Sequence, residues 1–410
     1  NNNNNNNNDN DNNTLSPSST QPPGSTPIPS SPPPSLNSAG NYELTAVLDG
    51  QNDGNRFGTI VSLTSTGDFL AVLRVDPLEP IQTFTLRQTV GWVPFASLPR
   101  EQAIFSSSNN NNPQSISEAG ADLNVATTPE GFPAVAISST TSGFRVYEHN
   151  GSAWVSRGQP LQWQSANNSR EESTVLSTAI CLSFDASVMA AGYVSSSGDA
   201  LLVRTFAYDP NAQTWNQIGD VIQRLRPEGS PPFLSITLSL SGNGRVVSVG
   251  DWRIADPQVM IDTYEFNDGL WTLMGPTISV PWGPVYTALS TEGTRLAVVN
   301  IALGTTYEWD GSQWNQFGGG VLGGSAVSMS GEGTKLFVGD ALQNTASLLD
   351  YADQQWQRIS LLTGDRLSRF GESVAMSIDG NTLSIGAPFA NLDGTNVGQI
   401  FLYSSPMMIP

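Results

Sequence analysis

Apolar residues alternate with small or polar residues on both sides of a turn that recurs seven times along the chain. The turn is clearest at Ser377–Gly380, and its copies end at Gly67, Gly131, Ala186, Gly244, Gly293, Gly333 and Gly380. A hydroxyl residue stands three positions before each end, and a small residue stands five positions before it. Apolar side chains two apart on each side of a tight turn predict two antiparallel strands. Small residues on the other face predict a first strand that is closely packed on both sides.

A second hairpin follows most copies and is marked by an aromatic residue seven positions before a tryptophan. The pairs are Tyr147/Trp154, Tyr208/Trp215, Tyr264/Trp271 and Tyr307/Trp314, with Leu349/Trp356 as a weaker case. Asn150-Gly151, Asp268-Gly269 and Asp310-Gly311 lie between them and permit tight turns. Each unit therefore predicts four strands, and repeated four-stranded units of roughly 50 residues predict a β-propeller. The repeated tryptophans are interpreted as packing between blades.

The two ends of the chain predict how the propeller closes. The seventh copy ends at Tyr403 without a tryptophan strand, and the segment Tyr42–Leu48 has the pattern to supply it. This exchange would remove the open sheet edges that invite aggregation. The predicted fold class is therefore all-β: a single seven-bladed β-propeller over residues 41–410, closed by the N-terminal strand. Residues 1–40 are rich in Asn, Ser and Pro, bury almost nothing, and predict a disordered stalk.

The last repeat carries the motif of a known propeller family. Phe370-Gly371, then Gly386-Ala387-Pro388 and then Val397–Tyr403 resemble the FG-GAP repeat of integrin-α-type propellers, with Phe57-Gly58 as a partial second copy. The Tyr-to-Trp spacing is also similar to a kelch blade, although a single glycine such as Gly192 stands where kelch repeats carry a doublet. The FG-GAP resemblance implies a binding or adhesion function.

Many FG-GAP propellers also hold calcium in an Asp-rich loop between the first two strands of a blade. That loop is shortened here to the turn around Asp379, which lacks neighbouring carboxylates. Calcium prefers six to eight oxygen ligands, so the resemblance is not extended to calcium. We predict no metal site and no cofactor. A weak cation site in the loop Asn391–Asn396 or Asp49–Asp53 is the alternative, and we favour loops without metal.

Composition excludes several other classes of protein. The chain has 17 basic and 36 acidic residues, a formal charge of −19, and a pI near 4.2. This balance argues against binding nucleic acid, where basic residues must neutralise phosphates. One cysteine excludes an internal disulfide framework, and one histidine argues against sites built from several imidazoles. No stretch reaches the roughly 18 apolar residues of a membrane span.

Several chemically distinctive residues have ordinary structural explanations. We expect His149 to be an exposed turn residue and Cys181 to fill a small-residue position in the core. An acidic residue recurs in the turns, at Glu130, Asp185, Glu292, Glu332 and Asp379. These acids form either a ring that attracts cations or a basic partner, or simply the polar positions of solvated turns; we favour the second interpretation. No catalytic residue is predicted.

Candidate binding residues lie in the predicted loops that join the second and third strands and successive blades. Tryptophans outside the repeated position are predicted to be exposed there and to stack on sugars or contact a partner. The candidates are Trp163, Trp252, Trp282, Asn391, Asp393 and Asn396.

The leading hypothesis is a non-enzymatic, monomeric binding or adhesion propeller with a protein or glycan ligand. We expect secretion or exposure on the extracellular side of a membrane, because the charge density is low, lysines are few, the stalk is rich in Pro and Ser, and the last repeat resembles FG-GAP. We also expect an upstream signal or anchor, because the chain does not begin with Met. N-glycosylation sequons are candidates at Asn12, Asn150 and Asn167. Two alternatives remain open: a propeller hydrolase that acts on glycans through paired acids, and an intracellular kelch-like adaptor.

Overall fold

The computed structural model describes residues 42–50, 54, 56–73, 81–98, 121–141, 143–165, 174–253, 256–281, 283–391 and 397–405. Within these ranges every regular element is a β-strand, and the strands form seven antiparallel sheets, numbered here as blades 1–7 along the chain. The predicted all-β, seven-bladed propeller is confirmed. The predicted stalk at residues 1–40 lies outside the described residues.

The sheet of each blade runs from a first strand at the axis to a fourth at the rim; these strands follow chain order in blades 1–6, whereas β1 supplies the fourth strand of blade 7. The first strands are β2 (Ile60–Leu63), β6 (Ala121–Thr127), β10 (Val175–Leu182), β14 (Phe233–Leu240), β19 (Val285–Leu289), β23 (Ala326–Met329) and β27 (Ser373–Met376). The second strands are β3 (Phe69–Leu73), β7 (Pro133–Ser139), β11 (Val188–Ser195), β15 (Val246–Arg253), β20 (Arg295–Asn300), β24 (Lys335–Asp340) and β28 (Thr382–Ala387).

The outer half of each blade completes the sheet. The third strands are β4 (Gln82–Arg87), β8 (Gly143–His149), β12 (Ala200–Asp209), β16 (Gln258–Asn267), β21 (Gly304–Trp309), β25 (Thr345–Ala352) and β29 (Gln399–Ser404). The fourth strands are β5 (Gly91–Pro94), β9 (Trp154–Ser156), β13 (Thr214–Leu225), β17 (Leu270–Leu273), β22 (Trp314–Val321), β26 (Gln355–Thr363) and β1 (Glu43–Asp49). In blade 4, β18 (Ile278–Pro281) adds a second partner for β16.

The seven blades form a closed ring. First strands of neighbouring blades contact one another in an unbroken circle, from β2 through β6, β10, β14, β19, β23 and β27 back to β2. The N-terminal strand β1 pairs with β29, and the register runs from Glu43 opposite Ser404 to Asp49 opposite Gln399. The Tyr42 hydroxyl adds a 2.5 Å hydrogen bond to the Gly380 carbonyl. The predicted closure by the start of the chain is therefore present.

The hydroxyl residue of the repeated turn is the residue that folds it. Ser377 Oγ accepts a hydrogen bond from the Thr382 N–H at 2.9 Å and donates one to Asp379 Oδ1 at 2.6 Å. Ser377 is fully buried, so an apolar replacement would leave backbone donors unpaired. The equivalent hydroxyls in the other blades also accept a backbone hydrogen bond across the turn: Thr64, Thr128, Ser183, Ser241, Ser290 and Ser330.

The Phe-Gly and Gly-Ala-Pro segments meet where blades 7 and 1 pack together. A Cβ at Gly386 would lie 2.0 Å from the Gly58 carbonyl oxygen, so only glycine permits this approach. Ser373 Oγ donates to the same carbonyl at 2.9 Å. The phenylalanines beside the glycines, Phe57 and Phe370, are fully buried. The motif therefore has a packing role at this blade junction.

The repeated tryptophans join each blade to the one before it. Trp356 Nε1 donates to Thr306 Oγ1 at 2.8 Å, and Thr306 Oγ1 donates to the Phe317 carbonyl at 2.7 Å. The same arrangement links Trp314 to Thr263 and Trp271 to Thr205. The interpretation of these tryptophans as inter-blade residues agrees with these bonds.

Candidate functional site

The propeller has two ends of different character. The turns between first and second strands, and between third and fourth strands, lie at one end, which we call the turn face. The loops between second and third strands and the links between blades lie at the other end, which we call the loop face. This division follows from the antiparallel order of every sheet.

Backbone hydrogen bonds link the inner turns of the turn face in a series that runs from blade 1 through blade 7 and back to blade 2. The Ile378 N–H donates to the Ser65 carbonyl at 2.8 Å, the Gly331 N–H to the Ile378 carbonyl at 2.7 Å, and the Thr291 N–H to the Gly331 carbonyl at 2.8 Å. Comparable bonds connect the turns of blades 2, 3, 4 and 5. These turns are held by backbone contacts, so their conformation does not depend on a ligand.

Two of the five recurrent turn acids, Asp185 and Asp379, accept hydrogen bonds from their own turns. Burial acts to raise the pKa of Asp185, but hydrogen bonds from Ser183, Ser187 and the backbone outweigh it and hold this pKa below its ordinary value. Glu292 accepts a 3.1 Å hydrogen bond from Asn243 in the neighbouring blade. These contacts are those of solvated turns. Across the described ranges, no group of three or more His, Cys, Asp or Glu side chains is placed to hold a metal ion.

Polar side chains on the first strands bond to backbone around the axis. Asp122 Oδ2 accepts the Ile180 N–H of the next blade at 2.9 Å, and Asn124 Oδ1 accepts the Leu182 N–H at 3.0 Å. Burial raises the pKa of Asp122 to about 6, against the lowering effect of hydrogen bonds from the Ile180 and Leu123 N–H groups. Burial also raises the pKa of Cys181, whose thiol donates to the Leu238 carbonyl at 3.3 Å. These groups join blades and are not arranged as a pair of acids around an open cleft.

The loop face carries a row of exposed aliphatic side chains on blades 5, 6 and 7. We call this set the apolar patch, and its exposed fractions are Ile301 47%, Leu303 42%, Leu322 45%, Leu342 69% and Leu367 78%. Scattered exposed aliphatics are normal on a protein surface. A row of five on adjacent loops of one face is the pattern expected of a contact surface.

Hydrogen bonds make the loops under the apolar patch continuous. Ser325 Oγ accepts the Ala341 N–H at 3.0 Å and donates to the Gly371 carbonyl at 3.3 Å, so it joins three loop segments. Asn344 Oδ1 accepts the Arg369 N–H at 2.8 Å and thereby fixes the link from blade 6 to blade 7. The leucines of the patch therefore stand on connected backbone.

Buried or acidic side chains also hold individual loops in shape. Asn300 is 2% exposed, and its Oδ1 accepts the Ala302 and Leu303 N–H groups at 2.9 and 2.8 Å. Asp340 Oδ1 accepts the Leu342 N–H at 3.1 Å. A surface that is already ordered loses less conformational entropy when it binds.

A charged pair borders the patch beside the axis. Arg369 Nη2 lies 2.8 Å from Glu372 Oε2, and burial raises the pKa of Glu372 despite this neighbour. Tyr286, on the first strand of blade 5, has its pKa raised to about 12 by burial and then by Glu372. Polar groups next to exposed aliphatics are typical of the rim of a protein–protein interface.

Two of the predicted binding tryptophans need correction. Trp163 is 2% exposed, donates from Nε1 to the Ser139 carbonyl at 2.7 Å and packs on the Phe144 ring. It is buried because its link folds back over blade 2, where Leu161 pairs with Phe144. Trp252 lies in strand β15, not in a loop, and packs half-buried on the core cluster of blades 4 and 5. Trp282 lies outside the described residues.

The remaining predicted residues have mixed outcomes. Asn391 is exposed on the loop face, whereas Asp393 and Asn396 lie outside the described residues. The sequon residue Asn150 is exposed at the tip of a hairpin on the turn face, and Asn12 and Asn167 lie outside the described residues.

The expectation that His149 is exposed was wrong. His149 is only 6% exposed, because its ring packs between those of Phe95 and Trp154 at centroid distances of 4.6 and 5.4 Å. Burial holds its pKa below the ordinary value of 6.5.

Comparison with one solved β-propeller supports the fold. The β-propeller domain of Myceliophteria thermophila Cps50 (Swd1) matches with a TM-score of 0.52 and 13% identity, over 88% of this chain and 99% of that domain. Kuenenia stuttgartiensis hydrazine synthase matches at 0.49 and 12% identity, over 83% of this chain and 95% of that chain. No protein-family model and no curated protein sequence matches the chain. In the described part of the chain, no helix is long and apolar enough to cross a membrane.

Proposed function

We propose that this propeller is a non-enzymatic binding module that recognises a protein partner through the apolar patch. The row of exposed aliphatic side chains on the connected loops of blades 5, 6 and 7 carries the proposal. Aliphatic surface removed from water on binding contributes roughly 25 cal/mol per Å², and pre-ordered loops limit the entropy that opposes association. The charged pair beside the patch supplies the polar rim of such a surface.

Replacement of Leu342 and Leu367 by Asp should weaken partner binding at least about tenfold, because two charged groups would then have to lose water in an apolar contact. The matched control is Leu270→Asp with Leu273→Asp, since these leucines are 50% and 53% exposed but lie in the fourth strand of blade 4. Both double variants carry the same added charge.

The measurement is affinity capture from native extract with quantitative mass spectrometry, followed by titration of the captured protein against each purified variant. Loss of one defined partner from the patch variant, with its retention by the control, is the expected result. Equal capture by both variants, or loss from the control alone, would refute the proposal.

We further propose that the protein acts outside the cell or on the extracellular side of a membrane, as an FG-GAP-like adhesion module. Support comes from the low content of charged residues, 13%, and from the exposed sequon at Asn150. Protein purified from its native source is expected to lose mass on treatment with an N-glycosidase. An unchanged mass, with an Asn150→Gln variant that migrates like the wild type, would argue against this location.

A further inference from the structure

The single histidine of the chain contacts the backbone nitrogen of an Asn-Gly sequence. The Gly151 N–H donates a hydrogen bond to His149 Nδ1 at 3.2 Å. This contact fixes the His149 tautomer, since an Nδ1 that accepts a hydrogen bond leaves the ring proton on Nε2. The amide nitrogen that follows an asparagine is also the nucleophile in succinimide formation, so a base lies beside a potential reacting atom.

The imidazole is held in place by aromatic packing. The rings of Phe95 and Trp154 flank it, and Phe95 meets it edge-on at 64°. Burial by these rings lowers the pKa of His149, so the imidazole is neutral and able to accept a proton at neutral pH.

The side-chain carbonyl of Asn150 is held by hydrogen bonds within its own turn. Asn150 Oδ1 accepts hydrogen bonds from the Ser152 N–H at 3.1 Å, the Ser152 hydroxyl at 2.9 Å and the Ala153 N–H at 3.0 Å. Three donors on one carbonyl oxygen polarise the Cγ–Oδ1 bond and stabilise the negative charge that develops during nucleophilic attack.

We propose that this hairpin tip is a self-modifying site, at which His149 acts as a general base for the deamidation of Asn150. The Gly151 nitrogen gives its proton to His149 Nδ1 and forms a bond to Asn150 Cγ. The Cγ–Nδ2 bond then breaks, and the departing Nδ2 takes the proton and leaves as ammonia. Water opens the resulting succinimide at either carbonyl and yields Asp or isoaspartate at position 150.

The chain contains an internal reference for this chemistry. Asn243-Gly244 is its second Asn-Gly sequence and also lies in an exposed turn of the turn face. Asn243 Oδ1 likewise accepts two hydrogen bonds, from Ser241 Oγ at 2.7 Å and the Arg245 N–H at 3.0 Å. The Gly244 N–H, however, donates to the Ser241 carbonyl at 2.9 Å, and a carbonyl is not a base at neutral pH.

The product would add a negative charge to a face that already carries many acids. It would also remove the amide nitrogen to which an N-linked glycan attaches, so glycosylation and deamidation of Asn150 exclude one another. The inference concerns the turn face and is independent of the proposed binding through the apolar patch.

Deamidation can be followed in the full-length, unglycosylated protein at neutral pH by tryptic mapping. The peptides Val146–Arg157 and Leu225–Arg245 separate the two Asn-Gly sites, and chromatography distinguishes Asp from isoaspartate. General-base catalysis contributes about 10²–10⁴-fold in rate. We expect Asn150 to react at least about tenfold faster than Asn243.

The decisive variant is His149→Phe, because blade 4 has Phe266 in the equivalent position opposite its tryptophan. This change keeps an aromatic ring but removes the base, and the rate at Asn150 should fall at least about tenfold. A His149→Gln variant, which retains an acceptor but is not a base at neutral pH, should be equally slow. Unchanged Asn243 rates and thermal melts would show that the fold is intact.

Two results would overturn the proposal. One is an Asn150 rate no greater than that of Asn243 in the wild-type protein. The other is a rate at Asn150 that survives in the His149→Phe and His149→Gln variants, which would assign reactivity to the turn geometry alone.

Discussion

Deletion of residues 1–49 is expected to abolish cooperative unfolding, because it removes the strand β1 that closes the ring. The strand carries the backbone partners of β29 from Glu43 to Asp49 and brings two buried side chains, Tyr42 and Leu48, with it. Loss of a large buried side chain costs about 2–5 kcal/mol, which is comparable to the roughly 5–15 kcal/mol of net stability of a domain.

The deletion would also leave β29 as a bare edge, and unpaired edges promote association between molecules. The measurements are urea unfolding and size-exclusion chromatography. Deletion of residues 1–40 is the control, because it leaves β1 intact, and it should keep the wild-type midpoint and elution volume. A protein that lacks residues 1–49 but unfolds with the wild-type midpoint would contradict ring closure by this strand.

The blades were predictable because each one needs a hydroxyl residue and a small residue at fixed positions before the end of its inner turn. Ser377, for example, stands three residues before Gly380 because its hydroxyl must reach the Thr382 N–H across the turn. The small residue five before the turn's end, Ala375 in this blade, is needed where first strands pack closely round the axis. Such requirements leave a period in the sequence, so the number of blades and their closure could be inferred.

The pairing within the second hairpin was predictable only in part. The tyrosine seven residues before the tryptophan is the cross-strand partner in blade 3, where Tyr208 lies opposite Trp215. In blade 2 the turn is shorter, and His149 lies opposite Trp154. Blade 6 has Tyr351 in that position, which explains why Leu349 made a weaker match. Turn length sets the register, and the spacing of aromatic residues alone does not reveal it.

The candidate surface was not predictable residue by residue. Long loops were expected to bind a partner, but the exposure of the tryptophans in them depends on how each link folds. The link that contains Trp163 adds a bridge to blade 2 and covers the indole, whereas Leu342 and Leu367 are 69% and 78% exposed. The sequence signal that could have indicated the apolar patch is an isolated leucine within a polar loop, because no strand pattern requires an apolar residue in a loop. Whether such a residue is exposed depends on tertiary contacts that have no sequence period.

The junction of blades 3 and 4 contains a buried ion network that the repeat pattern also did not reveal. Asp251 is 1% exposed, and its Oδ2 lies 3.1 Å from Arg224 Nη1 and 3.5 Å from Arg253 Nε. Its Oδ1 accepts the Met260 N–H at 3.1 Å, and Arg224 also pairs with Asp262. Burial acts to lower the pKa of Arg224. The carboxylates of Asp251 and Asp262 raise this pKa by more, so it lies above its ordinary value. The two blades are therefore joined by charged groups that are largely removed from solvent and paired with one another.

Replacement of Asp251 by Ala should lower the free energy of unfolding by about 3–5 kcal/mol, because the buried Arg253 and the partly buried Arg224 would lose a charge partner. The control is Asp199→Ala, which breaks the pair with Arg226, 2.7 Å away, at a carboxylate that is 54% exposed. Exposed pairs contribute about 0–1 kcal/mol. Urea unfolding of both variants measures the difference.

A combined Arg224→Met and Asp251→Leu variant separates charge burial from packing. If the penalty of Asp251→Ala arises from unpaired charge, removing both charged groups should recover part of the lost stability. Recovery is expected to be partial because both side chains change shape, and because Arg253 and Asp262 keep only their remaining contacts. Equal losses for Asp251→Ala and Asp199→Ala would show that the network contributes little to the junction. A double variant less stable than Asp251→Ala would show that unpaired charge is not the cause of the penalty. The expected order of stability is therefore wild type and Asp199→Ala highest, the double variant next, and Asp251→Ala lowest.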